Sequence, residues 1–460
     1  MHSRDPNKDD AEFEEEIRAI LRRKSKYHRP QDTYDFLGFV FPQEVNFSPA
    51  PFTKSANFTR ATFTQKAIFH GAIFTQEADF SGARFTQDAD FFEATFTQNA
   101  NFSQATFTRN ADFSWATFSQ HANFYGAGFT QNADFRRTKF TQNASFSWVT
   151  FTQDADFWAA TFTQDANFSG ATFNRDAYFV VAAFLGVADF SDAGFKEPAR
   201  VLFHRVNEPK EKGKEQGEEN GMRARFTGCL LEGARFEDVN WHRSRNRLIL
   251  QDELDLGTQR DLTHELVADV YRRMVKNFET NRQYALAEDC FIGEMEMRRL
   301  NPRNFPFARY AGSFYKEHRW ASWLGKQCSF TNFYRVLSDY GSSYRRALFA
   351  LLGLLFLFAL LLPTFGLRMS PGSPAQAAPG TPEPAEISWR SAWANPPRIS
   401  QSWGTLRAGL LASIEIATFQ KSPARVPANG SARLVAAVET VVIPGQLAIF
   451  LLALRRRFRR

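Results

Sequence analysis

The stretch FTQEADFSGARFTQDADFFEATFTQNANF, residues 74–102, decides the fold. Phenylalanine returns in it after six residues, then five, then six, and this alternation runs without a slip from Phe52 to Phe195. The unit is eleven residues long, F-T-Q-x-A-[DN]-F-x-x-A-T, and repeats about thirteen times. Of the 26 phenylalanines in register from Phe58 to Phe195, 24 follow an alanine by two positions; Thr138 and Val149 stand in for the other two. Residues two apart share one side of an extended strand, so each unit turns a small and a large side chain inward and sends Asp, Asn, Thr or Ser outward. A helix is excluded because apolar residues five and six apart do not share a helical face, and Phe, Thr, Asn and Asp are poor helix formers. The pattern predicts a filled rod without a pocket.

Segments such as ADFSGARF (78–85) and ANFSGATF (166–173) resemble pentapeptide repeat proteins over roughly residues 45 to 195. The resemblance implies a β-solenoid, a right-handed quadrilateral β-helix with four short faces per coil, the large residue and the small one before it both pointing into the bore. Alternate units here are six long, so two eleven-residue units make one coil of 22. Phe52, Phe74, Phe96, Phe118, Phe140, Phe162 and Phe184 are then expected to stack as one ladder. Six to seven coils at about 4.8 Å give a rod of roughly 30 Å.

Outward from the repeats, residues 1–33 read as a charged tail with a short helix from Glu12 to Lys24, and no apolar stretch there marks a signal peptide. The repeat domain is placed at 34–207, its aromatic start YDFLGFVFPQEVNF (34–47) reading as a plug over the first coil. A polar linker, 208–222, interrupts it; Phe226, Leu231, Phe236 and Trp241, five apart, then mark a final coil at 223–245. Residues 246–310 read as a helical hairpin with Leu262, Leu266, Val270, Met274 and Phe278 on one face, the turn ETNRQ, and a second helix from Ala285 to Leu300. Tyr284 and Ala287 give it a resemblance to a single tetratricopeptide-like unit, and the plainer reading is a spacer packed on the last coil.

Charge is unevenly distributed. The chain carries +7 with a pI near 9.3, yet residues 52–195 hold nine Lys/Arg against thirteen Asp/Glu, a net of −4. Residues 298–346 hold ten Lys/Arg against two acids. This basic segment, with Trp320, Trp323, Tyr334, Tyr340 and Tyr344 in its juxtamembrane part (311–346), precedes an uncharged apolar run, so a membrane surface is the expected partner and nucleic acid is not.

That run, 347–367, is long enough to cross a bilayer, and a second, 434–454, ends in the basic tail 455–460. The positive-inside rule then predicts a multi-pass protein of the cell (inner) membrane with both termini cytoplasmic. Between the spans, 368–404 reads as an outside loop and 405–423 contains an apolar segment too short to cross, as in a re-entrant helix. This order of parts, over roughly 345–460, resembles a two-helix potassium-channel pore, with Ser413, Ile414 and Thr418 where the pore helix and filter entry would lie. Where that family carries T-x-G-[YF]-G-D, this chain has Thr418, Phe419, Gln420, Lys421, Ser422 and Pro423. Both glycines are missing, and Lys421 would oppose cation entry in a symmetric pore, so potassium selectivity is not expected.

Glu439, inside the second span, is read either as bonded to the pore-helix segment or lining a pore, or as solvated at the outer interface. Pro444 and Gly445 are read as a fixed kink or a hinge. No catalytic, cofactor or metal motif emerges: His264-Glu265 lacks a second histidine, and Cys229, Cys290 and Cys328 fit no metal spacing. Three functions remain in order: a membrane-anchored scaffold with a degenerate channel-like module, a homo-oligomer (as a tetramer) with an unidentified protein partner on its rod; a channel of altered selectivity gated by the rod; and a DNA-mimicking inhibitor of gyrase type, which the net of −4 disfavours.

Overall fold

A computed structural model describes residues 33–49, 51–196, 201–207, 221–231, 234–244, 247–259, 261–305, 318–369, 387–390, 399–418 and 425–458. The helix expected at Glu12 to Lys24, most of the polar linker and outside loop, and Phe419 to Pro423 lie outside these residues. The chain divides into two units, 1–301 and 302–460.

The first unit is a β-solenoid of about eight turns. Short strands stack in parallel into four sheets of nine, eight, nine and seven strands, here called faces A to D. The pairing offset is 22 residues: Phe52 lies beside Phe74, Phe74 beside Phe96, and so on through Phe118, Phe140 and Phe162 to Phe184, the ladder expected on face D. Rings of successive coils lie flat on one another, Phe69 on Phe91 at 4.8 Å and 1°, while rings from the opposite faces A and C meet edge to face, Phe80 against Phe91 at 5.5 Å and 89°. Both geometries suit the ring quadrupole, and the buried alanines leave room for them.

The remaining letters of the repeat make the corners. After faces A and C the chain turns through F-x-x-A, closed by hydrogen bonds such as Ala94 N–H to Phe91 O at 3.0 Å. The third residue has positive φ, as in Glu93 (55°), Trp115 (61°) and Gly82 (63°), which is what a type II turn demands. The Asp or Asn before the phenylalanine accepts the N–H two residues on: Asp90 from Phe92 at 3.0 Å, Asn101 from Ser103 at 3.1 Å, Asp112 from Ser114 at 2.8 Å. The other two corners carry the extra residue of the six-residue step. There Thr75, Thr86 and Thr97 donate their hydroxyls to Phe52, Phe63 and Phe74 carbonyls of the preceding coil, each at 3.1 Å. Where Thr138 replaces alanine in the bore, its hydroxyl donates to Phe113 O at 2.8 Å, so the buried polar atom is satisfied.

The solenoid is longer at both ends than the alanine pattern implies. Residues 34–47 are no plug: Thr33–Asp35, Val40–Phe41 and Val45–Asn46 pair with the next coil as full members of faces A, B and C. Phe36, Phe41 and Phe47 already keep the five-six register, but Tyr34, Phe39 and Val45 take the alanine positions. After Phe195 the coil widens: Ala177 pairs with Val201, Ala188 with Ala224 and Phe203 with Phe236, offsets of 24, 36 and 33 residues. With nine strands on faces A and C the stack measures about 38 Å at ~4.8 Å per coil, beyond the expected rod.

The last coil is closed by α1 (Gln251–Leu254), α2 (His264–Thr280) and α3 (Tyr284–Leu300). Phe278 continues the aromatic stack at 6.0 Å from Phe236 and 6.2 Å from Trp241. Buried Asn277 donates to the Leu231 and Ala234 carbonyls at 2.8 and 2.7 Å, and Arg273 to Cys229 O at 2.9 Å. In α1, Asp252 accepts the Phe226 and Thr227 amides, each at 3.0 Å. Backbone groups that a solenoid end leaves open thus find side-chain partners. The hairpin face differs from the expected one at Leu266, which is exposed while Val267 and Tyr271 are buried. Gly293 is required there, since a Cβ would come within 2.7 Å of the Tyr271 ring.

The second unit is helical: α4 (Arg319–Gln327), α5 (Phe330–Ser338), α6 (Tyr344–Phe365), α7 (Ile399–Ala417) and α8 (Gly430–Phe458), with a ribbon pairing Leu367–Met369 and Arg425–Pro427. By length and composition α6 and α8 could cross a membrane.

Phe91→Ala deletes a ring stacked at 4.8 Å on both Phe69 and Phe113. It should cost about 3–5 kcal/mol, read from thermal or denaturant melts, whereas Thr138→Ala, restoring the repeat, should stay within about 1 kcal/mol.

Candidate functional site

The residues singled out in the C-terminal sequence fall among three packed helices. The segment expected to be re-entrant is α7, and it packs against both α6 and α8. Its approach to α6 needs a glycine, because a Cβ on Gly409 would lie 2.1 Å from Ala359 O. Glu439 of α8 is fully buried and accepts a hydrogen bond from the buried Ser413 hydroxyl of α7. The contact joins two positions picked from sequence for separate reasons. About two turns further along α8, Gln446 donates to Ala347 O of α6 at 2.9 Å. Ser413 with Glu439, and Gln446 with the Ala347 carbonyl, therefore link helices through the interior of this unit, while Glu439 Oε2 and Gln446 Oε1 are buried without a partner among the described residues.

Thr418 donates its hydroxyl to Ile414 O at 2.7 Å and so ends its own helix. Residues 419–424 follow outside the described set, but their flanks are tied: Glu415 accepts from the Arg425 amide at 3.2 Å and pairs with its guanidinium at 3.3 Å. Neither residue was picked from sequence. A carboxylate in an otherwise apolar segment, ten residues before an arginine, was the available signal. Helix α8 runs through Pro444 and Gly445 without a break, and a Cβ at Gly445 would meet nothing within 4 Å.

On the rod, the outward acidic positions are ordered by face. Asp90, Asp112, Asp134 and Asp156 are successive rungs of face C. Burial pushes the Asp112 carboxyl above its ordinary value, hydrogen bonds from Ser114 oppose the shift, and Asp134 and Asp90 add to it. Asp156 is raised by burial as well. Arg136 reaches along the ladder, 2.6 Å from Asp134 and 3.8 Å from Asp156. Beside it the Arg137 guanidinium lies between two indoles, 4.5 Å from Trp115 and 4.8 Å from Trp158. Cys229 and Cys290 are buried thiols, and among the described residues no His, Cys, Asp and Glu group could hold a metal.

Two outcomes follow. Glu439→Leu leaves the Ser413 hydroxyl buried without its acceptor and should lower stability in detergent by about 1–3 kcal/mol, while Glu439→Gln, which keeps an acceptor, should recover most of it. At Asp112 the groups in play are Asp90, Asp134, Arg136 and Ser114. Because the folded carboxyl holds its proton to higher pH than 3.8, folding loses stability as pH rises through that range. Asp112→Asn, which keeps the turn acceptor, should therefore melt no lower than the parent at pH 7, and the difference should shrink toward pH 3 in thermal melts.

Residues 47–95, 91–139 and 126–172 match the family model described as pentapeptide repeats (9 copies). No curated protein and no solved structure matches the chain significantly. The segment spanning residues 47–172 is a run of pentapeptide repeats, folded as the solenoid that such repeats imply.

Proposed function

We propose that this protein is a membrane-anchored interaction scaffold: a pentapeptide-repeat rod carried by a channel-like helical module that does not select potassium. The observation that carries the reading is an inversion of polarity in the second unit. Glu439, Ser413, Gln446 and Thr405 are buried, while large apolar side chains of the two long helices face outward, Val441 at 72% and Phe349 at 71% exposure among them. Only 28% and 22% of the most apolar stretches of α6 and α8 are buried. A helix in the core of a soluble protein has the opposite distribution, whereas in a bilayer lipid covers the outer face and polar groups must find partners inside.

In this reading the basic segment before α6 and the arginines at the C-terminal end of α8 lie on the cytoplasmic side of the inner membrane, as do both termini and the rod. Several copies assemble around α7, and the sequence from Thr418 to Pro423, which has neither filter glycine, makes no potassium filter. A channel of altered selectivity gated by the rod is the second reading, favoured by the buried carboxylate of Glu439.

After cell lysis the full chain should sediment with membranes and resist an alkaline carbonate wash, while a chain ending at Asn301 should remain in the supernatant. Recovery of the full chain in the soluble fraction contradicts the anchor. Reconstituted liposomes should show no potassium-selective flux; a flux of another ion would favour the second reading over the first.

A further inference from the structure

The turn that ends faces A and C needs one side-chain oxygen, and Asn provides it as well as Asp. On face A, Asn57, Asn101, Asn123 and Asn167 cap their turns in this way. Face C uses Asp at four successive rungs, which sets like charges about 4.8 Å apart with no gain to the turn. The corners differ at their first turn position, although the second carries an exposed tryptophan after face A as well, Trp148. At the first turn position after face A the residues are Thr59, Ser81, Ser103, Ser147 and Ser169, with Tyr125 the exception; after face C they are His70, Phe92, Ser114, Arg136 and Trp158. His70 stacks on Phe92 at 5.0 Å, and Trp115, Arg137 and Trp158 continue the ridge, with Trp115 49% exposed. Ile73, on face D just past the corner, is also exposed. An aromatic and arginine ridge left open to water is the composition of an interface centre, not of a solvated edge.

We propose that this ridge, with the aspartate ladder beside it, docks a basic amphipathic helix of a partner protein. Rungs repeat every ~4.8 Å and a helix turns every ~5.4 Å, so over three intervals the two drift apart by about 2 Å. A helix lying along the rod with one Lys or Arg per turn therefore meets successive carboxylates. The chain supplies its own example, since Arg136 spans Asp134 and Asp156. Among the described residues neither Asp90 nor Asp112 has a cation within ion-pair distance, so these rungs remain for the partner's cations. Phe92, Trp115 and Ile73 receive its apolar side. The inference rests on the rod being an interaction surface and is independent of the membrane anchor.

The test is fluorescence anisotropy of the full-length protein in detergent with a labelled synthetic helix of about five turns, Lys on one stripe and Leu beside it. The same helix with Glu for Lys serves as the charge control. The Lys helix should bind and the Glu helix should not. The Asp90→Asn/Asp112→Asn double variant should weaken binding about tenfold or more. Trp115→Gly, which suits the positive φ at that site, should weaken it as well. Asp79→Asn on face A, which makes the same exchange at a turn of the same kind, should change nothing. Failure of the Lys helix to bind, equal binding of the Glu helix, or equal losses from the Asp79 and Asp90/Asp112 variants would overturn the docking assignment. Retention of the protein in the membrane fraction alongside such a failure would leave the scaffold reading standing.

Discussion

Four phenylalanine rings and four small side chains fill each regular turn of the bore, and almost every other feature of the rod follows from keeping that cross-section constant. Rings 4.5–5.3 Å apart along the ladders of the regular coils leave no room for a coil of different volume. The offset of 22 residues is thus a packing requirement, and the alternation of five and six is how two kinds of corner share it. Threonine hydroxyls serve one kind, Asp or Asn carboxyl and amide oxygens the other. What looks in the sequence like a polar surface available for binding is largely occupied by corner chemistry.

Once that chemistry is subtracted, the remaining choices stand out. A turn cap does not distinguish Asp from Asn, and a positive φ at the third turn position is met most cheaply by glycine, as at Gly82, Gly126 and Gly170. Trp115 and Arg137 occupy such positions with large side chains, next to an unbroken run of aspartates. Large side chains stand at this turn position after face A as well, at Arg60 and Trp148, so what sets the corner after face C apart is the unbroken run of aspartates beside it, on which the docking proposal rests.

The regular coils were legible from residues 52–195 because the same two side chains recur at fixed spacing. The first coil escaped because Tyr34, Phe39 and Val45 fill the alanine positions, although the phenylalanine register itself continues back to Phe36. The final coil was legible from Phe226, Leu231, Phe236 and Trp241, but not its pairing, because Ala188 and Ala224, neighbours in the sheet, are separated by an insertion that hides their period. In the hairpin a four-residue count placed Leu266 inside, but the 3.6-residue turn rotates it out and brings Tyr271 in. Contacts such as Ser413 with Glu439 join residues whose separation carries no periodic signal, and only the polarity of Glu439 in an apolar helix pointed toward them.

Register is the claim on which the account of the rod stands, and deletion of whole and partial coils tests it most directly. Removing residues 89–110, one offset in length, joins equivalent rungs of face C and should leave a cooperatively melting rod close to the parent in stability. Removing only residues 86–90 shifts every later ring by one face and should abolish the cooperative melt. If circular dichroism shows the two deletions melting alike, or the longer one unfolding and the shorter one not, a bore of constant cross-section is not what holds this chain together.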